Sequence, residues 1–248
     1  MQTIKHDSAL SDMHAGDRTV FTMAPSLSDH DLISVSTDLA ASAEISPAPL
    51  KRALDIVLGS AMLVFFAPVM LLVALAILVT SPGPVLFRQE RVGVKGKGFE
   101  CLKFRTMRVD AERVLGRLFT TNPELRAEWI ENQKLADDPR ITGIGAFLRT
   151  TSLDELPQLL NVVRGDMSLI GPRPIVHAEI PRYGRYIEAY FSVKPGLSGL
   201  WQVSGRNEVS YSRRVAADVL YARSRSLRMD LWIMLKTVPA VITGRGSC

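Results

Sequence analysis

Asp154 and Glu155 stand side by side in the run Arg149-Thr-Thr-Ser-Leu-Asp-Glu-Leu-Pro157-Gln-Leu-Leu-Asn161. Adjacent carboxylates can divide labour, one attacking an electrophile while the other moves a proton or holds a hard cation. Ser152 and Glu155 also have the spacing of a capping box, in which Asp154 would only complement a helix dipole. Both readings put the pair at a helix start, because Pro157 is tolerated only in a first turn. A helix start offers free amides to phosphate and favours the ionised Asp154 that a nucleophile or metal ligand requires.

Basic groups in stiff settings surround this run. Lys103 and Arg105 flank Phe104 at the end of a β-like segment, and period-two alternation puts both on one face. Arg173 sits in the rigid turn Gly171-Pro-Arg-Pro174. Lys194-Pro-Gly196 and Gly205-Arg206-Asn207 bracket a segment that contains Trp201. Guanidinium forks match pairs of phosphate oxygens. Other chemistries are poorly served. There is no HExxH, CxxC or GxSxG; His6, His14 and His30 fall in the polar first fifty residues, and His177 has no evident zinc or triad partner. Cys101 and Cys248 form no disulfide framework and fit a reducing, cytosol-facing location.

The elements that must carry these groups follow from charge and hydropathy. The chain has 248 residues, 47% of them apolar, and a net charge of +5. Residues 1–50 carry seven acids and two bases, so residues 51–248 hold a net charge of +10. The first fifty read as an acidic disordered tail. Residues 54–79 are apolar apart from Asp55, long enough for a membrane, with Pro68 at the midpoint and basic residues on both flanks. A proline break with positive flanks at both ends predicts a re-entrant helix–break–helix over 51–84 rather than a straight span. Val85–Val92 and Phe99–Phe104 predict a β-hairpin around a Gly/Lys tip. Residues 108–135 predict a helix. Residues 184–193 and 229–243 have the composition of interfacial helices or of ordinary core helices. The expected fold is a mostly helical α+β body over 85–248, on the cytosolic side of its membrane hairpin. A nucleic-acid partner is excluded, since the apolar stretch would serve nothing there.

With these residues in view the chain resembles the bacterial sugar transferases that are monotopic polyprenyl-phosphate phosphoglycosyl transferases. The matching motifs are Lys51-Arg52-x-x-Asp55, the apolar stretch with Pro68, Lys103-Phe-Arg-Thr-Met107, Ser152 to Asn161, Gly165-Asp-Met-Ser168, Gly171-Pro-Arg-Pro174, Lys194-Pro-Gly196 and Gly199-Leu-Trp-Gln-Val-Ser-Gly-Arg-Asn207. They cover the chain from Lys51 to its end, and the short exopolysaccharide-initiating branch is the nearest in character. Ala67 stands where small members can have Ser, and Lys194 where Arg is common.

The resemblance implies transfer of hexose 1-phosphate, galactose or glucose, from a UDP-sugar to undecaprenyl phosphate, with release of UMP and help from Mg²⁺. It makes Asp154 the nucleophile that forms a phosphoglycosyl-enzyme, and Glu155 its proton handler. Both are candidate metal ligands, and Lys103, Arg105, Arg149, Arg173 and Arg206 are candidate phosphate holders. The implied partners are the UDP-hexose, undecaprenyl phosphate and inner-membrane lipids, with a homodimer as an open alternative. The implied location is the inner membrane, with the site on its cytoplasmic face. Two rivals stay open: a direct lipid glycosyltransferase that would release UDP, and a non-catalytic membrane adaptor in polysaccharide assembly.

Overall fold

The computed structural model describes residues 48–132, 135, 137–204 and 210–242. Residues 1–47 of the expected tail and Arg206 lie outside the described residues, and residues 48–50 open the first helix. The first element is α1, Ala48–Thr80, a helix of 33 residues with Pro68 inside it, about 50 Å long at 1.5 Å per residue. Its most apolar 18-residue window has a mean hydropathy of 3.0 and is long enough to cross a membrane. Most of its surface faces outward, Val64 and Phe65 each being 75% exposed.

The expected helix–break–helix is not what forms: the helical backbone is uninterrupted from Ala48 to Thr80. One face explains this. Asp55, Gly59, Met62, Phe66, Met70, Val73 and Ile77 recur at helical spacing on both sides of Pro68, and all of them meet the body. A proline removes a single backbone hydrogen bond, and a helix docked along its whole length outlasts that loss.

Both ends of α1 are tied down. Lys51 pairs with Asp230 at 2.7 Å, and Arg52 donates to the carbonyls of Val162 and Val163 at 2.6 and 2.8 Å. Buried Asp55 accepts from the Ser168 hydroxyl and the Leu169 amide, each at 3.0 Å. At the other end Ile77 and Val73 pack with Phe104 and Leu148, and the Arg105 guanidinium donates to the carbonyls of Ser81 and Pro82. Asp55→Ala is therefore expected to leave two buried donors without a partner and to cost about 1–3 kcal/mol. A thermal melt of the detergent-held variant checks this; an unchanged midpoint would show that α1 does not depend on that clamp.

The predicted hairpin is present. Strands β1, Leu86–Val92, and β2, Gly98–Phe104, run antiparallel, with Leu86 opposite Phe104 and Phe87 opposite Lys103. The predicted helix over 108–135 is two: α2, Ala111–Thr121, and α3, Pro123–Asn132. Asn122 divides them, its side chain accepting from the amides of Glu124 and Leu125 ahead of a first-turn proline. Next come α4, Gly143–Thr150, a 3₁₀ turn at Leu153–Glu155, and α5, Gln158–Arg164. Strands β3, Ser168–Ile170, and β4, Gly196–Ser198, form a short parallel pair absent from the sequence reading. Gly171 and Gly196 let these backbones touch, since a Cβ at either would collide with main-chain atoms of the other.

The remaining helices close the core. They are α6, Ile180–Tyr183, α7, Ile187–Phe191, α8, Leu200–Ser204, α9, Tyr211–Ser224, and α10, Leu227–Ile242. Of the two stretches with interfacial composition, 184–193 supplies core: Tyr190 is buried, donates to the Val92 carbonyl at 2.8 Å and accepts from the Ile175 amide. Helix α10 is two-sided, with Ile233 fully buried and Leu231, Trp232, Leu235 and Val238 exposed.

Candidate active site

Asp154 and Glu155 lie on the 3₁₀ turn that precedes α5, close to where Pro157 required a helix start. The capping box does not form. Ser152 takes the left-handed conformation, φ 57° and ψ 16°, and its side chain caps nothing. Glu155 turns instead to Lys103, whose ammonium lies 2.7 Å from Glu155 Oε1 and 3.7 Å from Asp154 Oδ2.

Asn161 sets this register. Its amide donates to the Glu100 carbonyl at 2.7 Å and its carbonyl accepts from the Leu102 amide at 3.0 Å, fastening α5 to β2. Lys103 is thereby held over the carboxylate turn. Arg173 reaches from its Gly-Pro turn to within 3.9 Å of Glu155. Arg149, at the end of α4, is anchored by Nε on the Thr106 hydroxyl at 3.0 Å, near enough to bias Asp154. Arg105 goes elsewhere. Strand β2 ends at Phe104, the alternation stops with it, and the Arg105 guanidinium serves the carbonyls that close α1.

The sequence reading did not single out Arg91, Gln158 and Gln202 for chemistry. Together with Lys103, Glu155 and Arg173 they line a pocket beside the carboxylates. Arg91 donates to the Pro174 carbonyl at 3.0 Å and so braces the turn that carries Arg173. A signal for it existed, since Phe87, Gln89 and Arg91 alternate on the strand face opposite Lys103 and Cys101.

The two carboxyls are driven apart. Burial raises Asp154 above its ordinary pKa, against the pull of Lys103 and with the push of Glu155. Burial opposes the ionised Glu155 too, but Lys103, Arg173 and Arg91 outweigh it and hold that pKa below its ordinary value. The helix dipole expected to keep Asp154 ionised is the weaker influence, because α5 begins only at Gln158. Burial also pushes the Cys101 thiol up, which leaves it unreactive. Among the described residues no three His, Cys, Asp or Glu side chains cluster. Two adjacent carboxylates are nevertheless the donor set Mg²⁺ takes when substrate phosphates complete its shell. Two carboxylates facing Arg91, Lys103, Arg149 and Arg173 suit a ligand with two negative charges and an electrophilic phosphorus.

Residues 46–244 match the family model described as bacterial sugar transferase. The exopolysaccharide production protein ExoY of Sinorhizobium fredii is 47% identical over 197 residues, covering 79% of this chain and 87% of that protein. An uncharacterized sugar transferase of Haemophilus influenzae is 49% identical over 216 residues, covering 87% of this chain and 45% of its own length. The undecaprenyl-phosphate galactose phosphotransferase of Salmonella typhimurium is 46% identical over 198 residues, covering 80% of this chain. The match spans less than half of these last two proteins, at 45% and 41% of their lengths.

Proposed function

Because the chain belongs to the bacterial sugar transferase family, of the polyprenyl-phosphate phosphoglycosyl transferase type, we propose that it moves hexose 1-phosphate from a UDP-sugar to undecaprenyl phosphate. UMP leaves, and the lipid diphosphate sugar opens exopolysaccharide assembly. Galactose and glucose are the candidate hexoses. The observation that carries this reading is the unequal carboxylate pair: Glu155 takes the close bond to Lys103, and Asp154 stands 3.7 Å from the same ammonium. The less tightly paired carboxylate keeps its nucleophilic lone pairs.

In the first step an Asp154 oxygen attacks the phosphorus that bears the sugar. The bond from that phosphorus to the bridging oxygen breaks, and its electron pair leaves with UMP. In the second step the lipid phosphate attacks the same phosphorus and frees the Asp154 carboxylate. Lys103, Arg149 and Arg173 neutralise charge on the phosphoryl oxygens, and Glu155 holds Lys103 in place. Asp154 and Glu155 would hold Mg²⁺, whose charge would offset that of the substrate phosphates.

Purified protein in detergent, given Mg²⁺, undecaprenyl phosphate and a panel of UDP-hexoses, tests the reading. UMP is the expected nucleotide product. UDP would transfer the assignment to a direct glycosyltransferase, and no nucleotide with any donor would favour the adaptor.

We also propose that α1, unbroken from Ala48 to Thr80, seats its exposed apolar face in the inner membrane with both of its ends on the cytoplasmic side. The support is that both of its ends are fastened to one body, at Lys51, Arg52 and Asp55 and again at Arg105. The exposed apolar stripe of α10 supports contact with the same surface, because Asp230 ties that helix to the start of α1. Cysteines introduced at Leu50 and Lys95, in a chain whose native cysteines are replaced, are expected to react with an impermeant reagent only from the cytoplasmic side. Labelling from opposite sides would establish a span.

A further inference from the structure

The pocket beside Glu155 has two halves of different chemistry. Arg91, Lys103 and Arg173 make a cationic half, and the side-chain amides of Gln158 and Gln202 make a neutral one. The phosphoryl chemistry already described uses the first half and gives the second nothing to do. Within the neutral half, Gln202 is unusual. As a residue it is partly exposed and lines the pocket, yet its Oε1 is turned inward, shielded from water and without a hydrogen-bond donor among the described residues. A buried carbonyl left unpaired is destabilising, so the free protein holds this amide in an arrangement that a ligand donor would improve. Gly199 provides the room, since a Cβ there would stand 2.9 Å from Gln202 Oε1.

We infer that Gln202 is a specificity-determining residue whose carbonyl turns to the pocket and accepts an O–H or N–H from the sugar nucleotide. This inference rests on the donor being a UDP-hexose. Two groups of such a donor offer that chemistry, a hydroxyl of the hexose and the imide N–H of the uracil. The cationic half takes the diphosphate between them without distinguishing one sugar nucleotide from another, because the diphosphate is common to all of them, whereas a hydroxyl identifies the hexose and the imide identifies the base. Discrimination needs a directional neutral partner, and a site built to bond a hydroxyl or imide rejects a ligand that lacks one.

The test is equilibrium binding of UDP-galactose, UDP-glucose, UDP and UMP to the full chain in detergent, with wild type beside Gln202→Met and Gln202→Glu. Gln202→Met keeps the length of the side chain and removes its polar atoms. It is expected to melt no lower than wild type, since the lost acceptor has no donor among the described residues, and to bind its preferred UDP-hexose about tenfold more weakly. Gln202→Glu keeps an acceptor at the same position and is expected to retain the wild-type preference between the two hexoses. If the partner is a sugar hydroxyl, UDP and UMP bind Gln202→Met as they bind wild type, and the preference between the hexoses shrinks. If the partner is the uracil, UMP and UDP weaken by the same factor as the sugar nucleotides. Wild-type affinities for all four ligands in Gln202→Met would overturn the inference. Binding is read apart from turnover, so a wild type that binds a UDP-hexose but releases no UMP would refute the proposed reaction and leave the role of Gln202 measurable.

Discussion

Asp154→Asn is expected to abolish UMP release, by at least about a thousandfold, as removal of an attacking group does in enzymes that work through a covalent intermediate. The exchange is nearly isosteric, and the site is packed: Asp154 is 8% exposed and sits on a turn braced by Pro157 and α5. The fold should hold, so the melting midpoint should stay within a few degrees. Donor binding should persist or tighten, because one negative charge disappears from a pocket lined by Arg91, Lys103 and Arg173. A second readout separates attack from mere positioning. Wild type mixed with the UDP-sugar but no lipid acceptor should gain the mass of a hexose phosphate on Asp154, and the variant should not. UMP release that survives in Asp154→Asn would end the covalent mechanism and leave Asp154 as part of the turn.

Lys103→Met should produce the second large effect, and pH reveals it. Asp154 must be ionised to attack, and its pKa already lies above the ordinary value of 3.8. Activity is therefore lost as pH falls through that raised pKa, earlier than for an exposed aspartate. Lys103 is the strongest influence lowering both carboxyls. Without it both pKa values rise, and the acid limb of the rate profile should move upward. The rate at the optimum should also fall about a hundredfold, the usual effect of removing one preorganised charge from developing anionic oxygens. A lower rate with an unmoved acid limb would show that Lys103 binds phosphate without setting the ionisation of the pair.

The sequence carried the site where chemistry and local geometry pointed the same way. Asp154, Glu155, Lys103 and Arg173 were legible because a proline, a strand end and a Gly-Pro turn each restrict where a side chain can go. The structure brings these four together. Arg105 misled because alternation holds only while a strand lasts, and β2 stops one residue earlier. The capping box misled because Ser152 is left-handed, a conformation that spacing does not encode. Strands of three residues, such as β3 and β4, are too short to show a period, so their parallel pairing stayed hidden. Lys51 and Arg52 looked like membrane-flank charges, and their partners lie more than a hundred residues away. Pro68 looked decisive because a sequence shows the hydrogen bond a proline removes but not the docked face that outlasts it.

Those distant partners set a schedule for the growing chain. Arg52 waits for a carbonyl 110 positions later, and Lys51 for an aspartate 179 positions later. At ~5–20 residues per second on the ribosome, α1 emerges roughly ten to thirty-five seconds before its last anchor has been made. Until residues 162–169 are made, Lys51, Arg52 and Asp55 have none of these contacts, and Lys51 then waits longer still for Asp230. On the membrane seat proposed for α1, lipid is expected to receive the apolar helix during translation, and the body to assemble afterwards around it. Contacts of such long range also make folding slow. Pulse-labelled nascent chains should accordingly become membrane-bound well before they become resistant to protease.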